Sequence, residues 1–263
     1  MTHPLELLLF TKDVALARDA ERAGVDGLIV DWETKGKNER QSGCDMEINA
    51  DTPDDVARVA AAVALPVTVR INGLSDETAD EIDLALACGA RRLMLPMARS
   101  ADDVEHFLAI VDGRARTIVQ IETQDLVEDL DALAGLAWDC AYIGLHDLML
   151  SRRAASMWQA VTDGTVERVF RRLSDRHVGF AGATVIGGGH PIRFTQILQE
   201  LARLGARLTF LRRSLRREIQ DRDIAAEIAA LRAAWHACQV RGPQAIESDR
   251  ATLYADLKRL AAV

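Results

Sequence analysis

The sequence predicts a closed (β/α)8 barrel, the TIM-barrel class of α/β fold. Three observations lead there. The chain has 263 residues, close to the ~250 of a single barrel of this kind. Eight short, almost continuously apolar runs occur along it, as expected of parallel strands buried on both faces. A longer amphipathic stretch follows each run, so the order is β then α throughout. A doubly wound open sheet is the alternative arrangement of the same units.

The first run is Leu5 to Phe10, followed by a helix from Asp13 to Ala23 that Gly24 ends. Gly27 to Val30 is the second run. Thr52 is placed to cap the next helix, with Pro53 in its first turn, where the missing N–H costs nothing. Val67 to Arg70 is the third run, with a helix over Ser75 to Cys88 closed by Gly89. The fourth unit pairs Arg92 to Leu95 with a helix over Ala101 to Val111. The fifth pairs Thr117 to Ile121 with Asp125 to Ala134. Ala141 to Ile143 is the sixth run, then a largely helical segment to about Asp175. The β-branched stretch Ala183 to Ile186 reads as the seventh, with a helix over Ile192 to Leu204. Leu208 to Leu211 is the eighth, with a helix from Ser214 to Cys238.

Arg241-Gly242-Pro243 marks a break. It divides a barrel domain, residues 1–240, from a C-terminal helical extension, residues 241–263, with its helix over Ser248 to Ala261. Leu253, Leu257 and Leu260 share one face of that helix, which suits packing on the barrel or on a neighbouring subunit. No internal repeat or low-complexity linker interrupts the chain.

Composition narrows the function. The net charge is −8 and the pI about 5.3. A nucleic-acid binder draws most of its affinity from basic residues, so that class is disfavoured. A small anionic substrate in a locally positive pocket is not. No run approaches the ~18 apolar residues of a membrane span, and the N-terminal residues lack the pattern of a signal peptide. Cys44, Cys88, Cys140 and Cys238 form no C-x-x-C pair, which fits scattered reduced thiols and a cytoplasmic protein.

In this fold the chemistry sits at the C-terminal ends of the strands. There the second run presents Asp31 and Glu33, the third Arg70 and Asn72, and the fifth Glu122. The sixth presents His146 and Asp147, the seventh Gly187-Gly188-Gly189-His190, and the eighth Arg212 and Arg213. Glu122 and Asp147, on adjacent strands, suit Mg2+, which takes one or two carboxylates and completes its shell with water and substrate oxygens. Such an ion stabilises an oxo-acid enolate while a carbon–carbon bond breaks or forms. Arg70 suits a substrate carboxylate. Each residue also has a bland reading. Glu122 fits a solvated loop, Asp147 a helix N-cap, Arg212 and Arg213 a helix start, and His146 and His190 structural hydrogen bonding. The Gly187–Gly189 run lacks the P-loop pattern.

Several stretches together resemble the HpcH/HpaI aldolase and citrate lyase superfamily, nearer its citrate lyase β-chain side. They are Asp31-Trp32-Glu33, Arg70-Ile71-Asn72, Leu95-Pro96, Ile121-Glu122-Thr123, Gly144-Leu145-His146-Asp147-Leu148 and His190-Pro191, spread from about Ala23 to Ile219. The resemblance implies that Glu122 and Asp147 bind Mg2+ or another divalent cation such as Mn2+. It implies that Arg70 contacts substrate and serves catalysis, with Asp31, Gly144 and His146 also at the substrate. It further implies a metal-dependent carbon–carbon lyase or aldolase acting on an oxo-acid or acyl-thioester substrate, and a homo-oligomer, trimer or hexamer.

The chain departs from the family pattern in two places. Thr34 stands where a His or Asp is usual, and Met97 where a Lys often follows Leu-Pro. Glu33 or a metal-bound water is then the candidate base. The loop bearing Lys35, Lys37 and Arg40 suits either an anionic tail of the substrate or plain solvation. These departures keep open two alternatives, a ligand-binding paralogue without catalysis and a pyruvate- or phosphoenolpyruvate-handling barrel with other chemistry.

Overall fold

The computed structural model describes residues 2–35, 51–212 and 215–261. Eight parallel strands close in sequence order, each hydrogen-bonded to the next and β8 to β1. The chain runs β1 (Glu6–Phe10), α1 (Val14–Arg22), β2 (Gly27–Asp31), α2 (Pro53–Ala62), β3 (Val67–Arg70), α3 (Thr78–Ala87), β4 (Arg92–Leu95) and α4 (Ala101–Val111). It continues β5 (Arg116–Ile121), α5 (Gln124–Glu128), α6 (Leu130–Ala134), β6 (Cys140–Ile143), α7 (Leu145–Arg152), α8 (Gln159–Thr162), α9 (Thr165–Arg172) and β7 (His177–Ala183). Last come α10 (Phe194–Leu204), β8 (Leu208–Leu211), α11 (Leu215–Glu218), α12 (Ile224–Gln239) and α13 (Pro243–Ala261).

Strand alternation splits the apolar residues into two cores. Leu8, Ile29, Met94, Ile118, Cys140, Tyr142, Leu208 and Phe210 fill the barrel. Their neighbours, such as Leu7, Leu9, Val30, Val69 and Val119, join the larger layer between strands and helices. Residues in phase with the inner set and nearer the C-terminal ends, Asp31, Arg70, Gln120 and Glu122, therefore point inward at the mouth end of the barrel.

Local chemistry sets the helix starts. Thr52 and Asp55 form a reciprocal capping box with Pro53 in the first turn. Asp13 accepts from the amides of Ala15 and Leu16. The break at Gly242 is followed at once by helix, so α13 begins at Pro243 rather than Ser248. Leu253 and Leu257 on α13 are buried. Gln196 on α10 donates to Asp256 at 2.8 Å, and the Tyr254 hydroxyl donates to the Val161 carbonyl at 3.0 Å. This helix thus lies against the barrel.

The seventh strand differs from the sequence expectation. It spans His177–Ala183 and ends where the run Ala183 to Ile186 was expected to begin. Residues 184–193 connect β7 to α10, so the Gly187–Gly189 run lies in that connection and His190 is exposed within it. Gly179 and Gly182 make this strand look unlike one in sequence, and packing requires both. A Cβ on Gly179 would stand 2.1 Å from the Leu208 carbonyl oxygen, and one on Gly182 would stand 2.4 Å from Arg212 Cγ.

Candidate active site

A cavity of about 360 Å3 opens at the C-terminal mouth, lined by residues of β1, β3 and β5–β8 and the connections after them. Arg70, Glu33, Glu122, Gly144, His146 and Asp147 all line it, and Asp31 does not. Asp31 is fully buried behind Arg70.

Arg70 and Asp31 are register partners on β3 and β2. Arg70 Nε donates to Asp31 Oδ1 at 2.9 Å and Nη2 donates to Oδ2 at 2.7 Å. One edge of the guanidinium fork is thereby taken. Nη1 lies 3.4 Å from both Glu33 Oε2 and Gln120 Oε1. The guanidinium also lies over the Phe10 ring, 5.3 Å from its centroid. The anionic neighbours Asp31, Glu33 and Glu122 raise the Arg70 pKa against the opposing effect of burial, so its charge is fixed.

Glu122 is held from two sides. Its Oε1 accepts from the Met97 amide at 2.9 Å and its Oε2 from Gln120 Nε2 at 3.1 Å. Met97 has φ +59°, an uncommon conformation for a side-chain-bearing residue, and its amide meets Glu122 from there. Burial, reinforced by the nearby charges of Asp147 and Glu33, pushes the Glu122 pKa up to about 8. Gly144 makes room for this carboxylate, since a Cβ there would lie 2.4 Å from Glu122 Oε2.

Asp147 sits in the first turn of α7, whose N-cap is Gly144, so it is not the cap residue. His146 is half-buried, and its Nε2 is shielded without a hydrogen-bond partner among the described residues. Asn72 does not line the cavity. It holds the turn after β2, its Oδ1 accepting from the amides of Thr34 and Lys35 at 2.9 and 3.0 Å. Thr34 is exposed. Lys35 pairs with Glu77, while Lys37, Arg40 and Arg213 lie outside the described residues.

The remaining walls were not singled out by sequence. Phe10, Tyr142, Met157, Trp158 and Phe210 line one side. Tyr142 stacks on Phe210 with centroids 3.5 Å apart. Alternation was the available signal, because Gln120 and Tyr142 each lie two residues before a mouth residue. Arg212, a strand-end candidate whose bland reading is a loop and helix start, lies in the loop after β8 and lines the cavity. Its Nε donates to the Gly182 carbonyl at 2.9 Å, and burial lowers its pKa.

The match to known families now has a geometry to rest on. The family model described as HpcH/HpaI aldolase/citrate lyase matches residues 7–159, more than half the chain. The chain belongs to that family. No curated protein matches it significantly by sequence. Among solved structures, an HpcH/HpaI aldolase/citrate lyase family protein from Burkholderia cenocepacia J2315 is similar with TM-score 0.61 and 20% identity, covering 89% of this chain and 94% of that one. RipC from Yersinia pestis is similar with TM-score 0.58 and 18% identity over 94% of this chain and 100% of that one. Citrate synthase SbnG gives TM-score 0.60 and 18% identity over 86% and 92%. At these identities the structures speak for the fold. The HpcH/HpaI model itself spans Asp31, Glu33, Arg70, Glu122, Gly144 and Asp147, and membership assigns the chain to lyase- and aldolase-type enzymes acting on small molecules. Among the described residues no helix is long and apolar enough to cross a membrane.

Proposed function

We propose that the chain is a divalent-cation-dependent carbon–carbon lyase or aldolase for an oxo-acid or acyl-thioester substrate. The observation that carries this reading is the convergence of Arg70, Glu33, Glu122 and Asp147, from four strand ends, on one cavity. The donor set fits a cation. Glu122 is a buried carboxylate whose ionisation is opposed by burial and by its anionic neighbours, and a divalent charge relieves both effects. Glu122 and Asp147 would hold Mg2+ or Mn2+ through two carboxylates, a usual protein contribution to such ions. When bound, the ion supplies electrophilic stabilisation of enolate charge.

The protein's own groups do the rest. Arg70, oriented by Asp31, meets the substrate carboxylate through Nη1. Glu33, within 3.4 Å of that nitrogen, is placed to move a proton, a role the exposed Thr34 does not fill. His146 contacts substrate from the rim. The wall of Met157, Trp158 and Phe210 excludes water, which strengthens each charge interaction inside. Arg212 suits a second anionic group on the substrate. The same reading has the protein act in the cytoplasm as a homo-oligomer, without nucleic-acid or membrane partners, and light scattering tests the assembly.

A panel of 4-hydroxy-2-oxo acids and acyl thioesters tests the activity. Cleavage that depends on Mg2+ or Mn2+ and falls about 100-fold or more in Glu122→Gln and Asp147→Asn is expected. Turnover that persists in these variants with EDTA present overturns the proposal. The exposed Thr34 also supports a second reading, a binding paralogue, which requires calorimetric binding of oxo acids with no turnover.

A further inference from the structure

At the opposite end of the barrel, Glu6, Cys140 and His177 offer a carboxylate oxygen, a sulfur and an imidazole nitrogen, all within 4.8 Å of one another. These residues begin β1, β6 and β7. Cys140 and His177 are register partners on adjacent strands, and Glu6 lies two strands beyond β7, on β1, where it pairs with Leu208 of the intervening β8. The three donors therefore sit on one continuous arc of the floor. Cys140 is buried and belongs to the core inside the barrel, Glu6 is half-buried, and His177 faces solvent. A second cavity of about 350 Å3 reaches Glu6 and His177 from outside, with Arg92, Arg116 and Arg207 around it.

We propose that Glu6, Cys140 and His177 form a second metal site, for a soft divalent cation of the zinc class, with a fourth position open to the floor cavity. The donor chemistry selects the ion. Thiolate, imidazole and carboxylate are the ligands of Zn2+ and Co2+, whereas Mg2+ takes oxygen donors. Zinc bonds of about 2.0–2.3 Å place tetrahedral ligand atoms roughly 3.3–3.8 Å apart, so metal binding would draw these donors together by about 1 Å or somewhat more.

The arginines constrain the site without removing it. Arg92 bonds Glu6 Oε1, and a carboxylate's other oxygen stays available to a metal. Arg116 Nη2 lies 3.8 Å from the Cys140 sulfur, a donor suited to a thiolate, and it is itself near Asp139 at 3.7 Å. Such outer partners orient the ligands, and a bound cation displaces the Cys140 proton that burial otherwise keeps on the sulfur. Two anionic ligands neutralise the doubly charged ion, and Arg207 at the cavity favours an anion as the fourth ligand. The bland counterpart is a purely structural Glu6–Arg92 pair plugging the floor, the face of the fold associated with stability.

Cobalt titration of the chelator-stripped full chain in excess Mg2+ decides between them. The site predicts one equivalent of Co2+ per chain with a near-ultraviolet thiolate-to-cobalt charge-transfer band that Zn2+ displaces. The band should vanish in Cys140→Ser, weaken in affinity at least about 10-fold in His177→Gln, and persist in Glu122→Gln, which separates this site from the mouth. Should Cys140→Ser fail to fold, His177→Gln carries the test alone. Absence of the band, its survival in Cys140→Ser, unchanged affinity in His177→Gln, or binding of inorganic phosphate without metal each overturns the proposal.

Discussion

Arg70 and Asp31 form a two-bond ion pair inside the barrel, at 2.9 and 2.7 Å, from register-paired positions on neighbouring strands. The pair fixes which face of the guanidinium meets the cavity. It also commits a positive charge to a largely buried position at the cavity wall.

Removing the carboxylate charge tests both consequences. Asp31→Asn keeps the shape but leaves a buried cation with a weaker partner. Breaking such a pair costs on the order of 3–5 kcal/mol when one side is removed outright, and the isosteric amide should cost less. The expected result is a lower urea midpoint together with a raised KM for oxo acids, because Arg70 loses its fixed orientation. An unchanged midpoint and KM would show that Glu33 and Gln120 position Arg70 unaided.

Gly144 offers a cleaner separation of site from fold. Its φ is −83°, so alanine is acceptable to the backbone. The obstacle is Glu122, whose Oε2 and Cβ lie 2.4 and 2.9 Å from where a Cβ would stand. Gly144→Ala should therefore leave the far-ultraviolet circular dichroism intact and push Glu122 off Met97 and Gln120. Calorimetry with Mn2+ should show affinity at least about 10-fold weaker. Wild-type affinity in this variant would mean that Glu122 is not a ligand.

Glu122 also gives the metal-free protein a pH signature. Its folded pKa of about 8 lies above the ordinary 4.5, so folding favours the neutral acid. The folded state then loses stability as pH rises from about 4.5 through about 8, and the loss is constant above that. Thermal melts without metal should fall between pH 5 and pH 8, and Glu122→Gln should flatten that fall. Mn2+ should raise the melting temperature more at pH 8 than at pH 6, because at pH 6 it must first displace a proton. Equal metal effects at both pH values would contradict the assignment.

Most of the fold was legible because seven of the eight strands announce themselves as apolar runs. The metal and arginine candidates were legible because motif order fixes which strand end each occupies. The Arg70–Asp31 clamp was not, since its partners are 39 residues apart in sequence and only strand register brings them together. Nor was the aromatic wall, because Phe10, Tyr142 and Phe210 read as ordinary core until alternation shows that they face the barrel interior. Position 97 departs from the usual Lys, yet the contact that matters there is made by the backbone amide, which no side chain reveals.

The misplaced seventh strand yields the sharpest prediction about the barrel itself. Gly179 lies at the seam where β7 meets β8, next to a register shift between Gly179 and Gly182. A Cβ at Gly179 would meet the Leu208 carbonyl oxygen at 2.1 Å and its carbonyl carbon at 2.9 Å. Both are backbone atoms of the partner strand, so no side-chain rotation relieves the clash. Gly179→Ala should open or shift the β7–β8 pairing and lower stability by about 1–3 kcal/mol or more. Gly187→Ala is the matched control. It lies in the exposed connection after β7, a Cβ there meets nothing within 4 Å, and a change within about 0.5 kcal/mol is expected. Because Leu208 and the strand it begins also carry Arg212 into the cavity, a displaced seam should disturb substrate binding as well as stability. Denaturant unfolding of the two variants side by side checks the comparison. Equal midpoints would show that the seam relaxes and that glycine at 179 answers to some other demand.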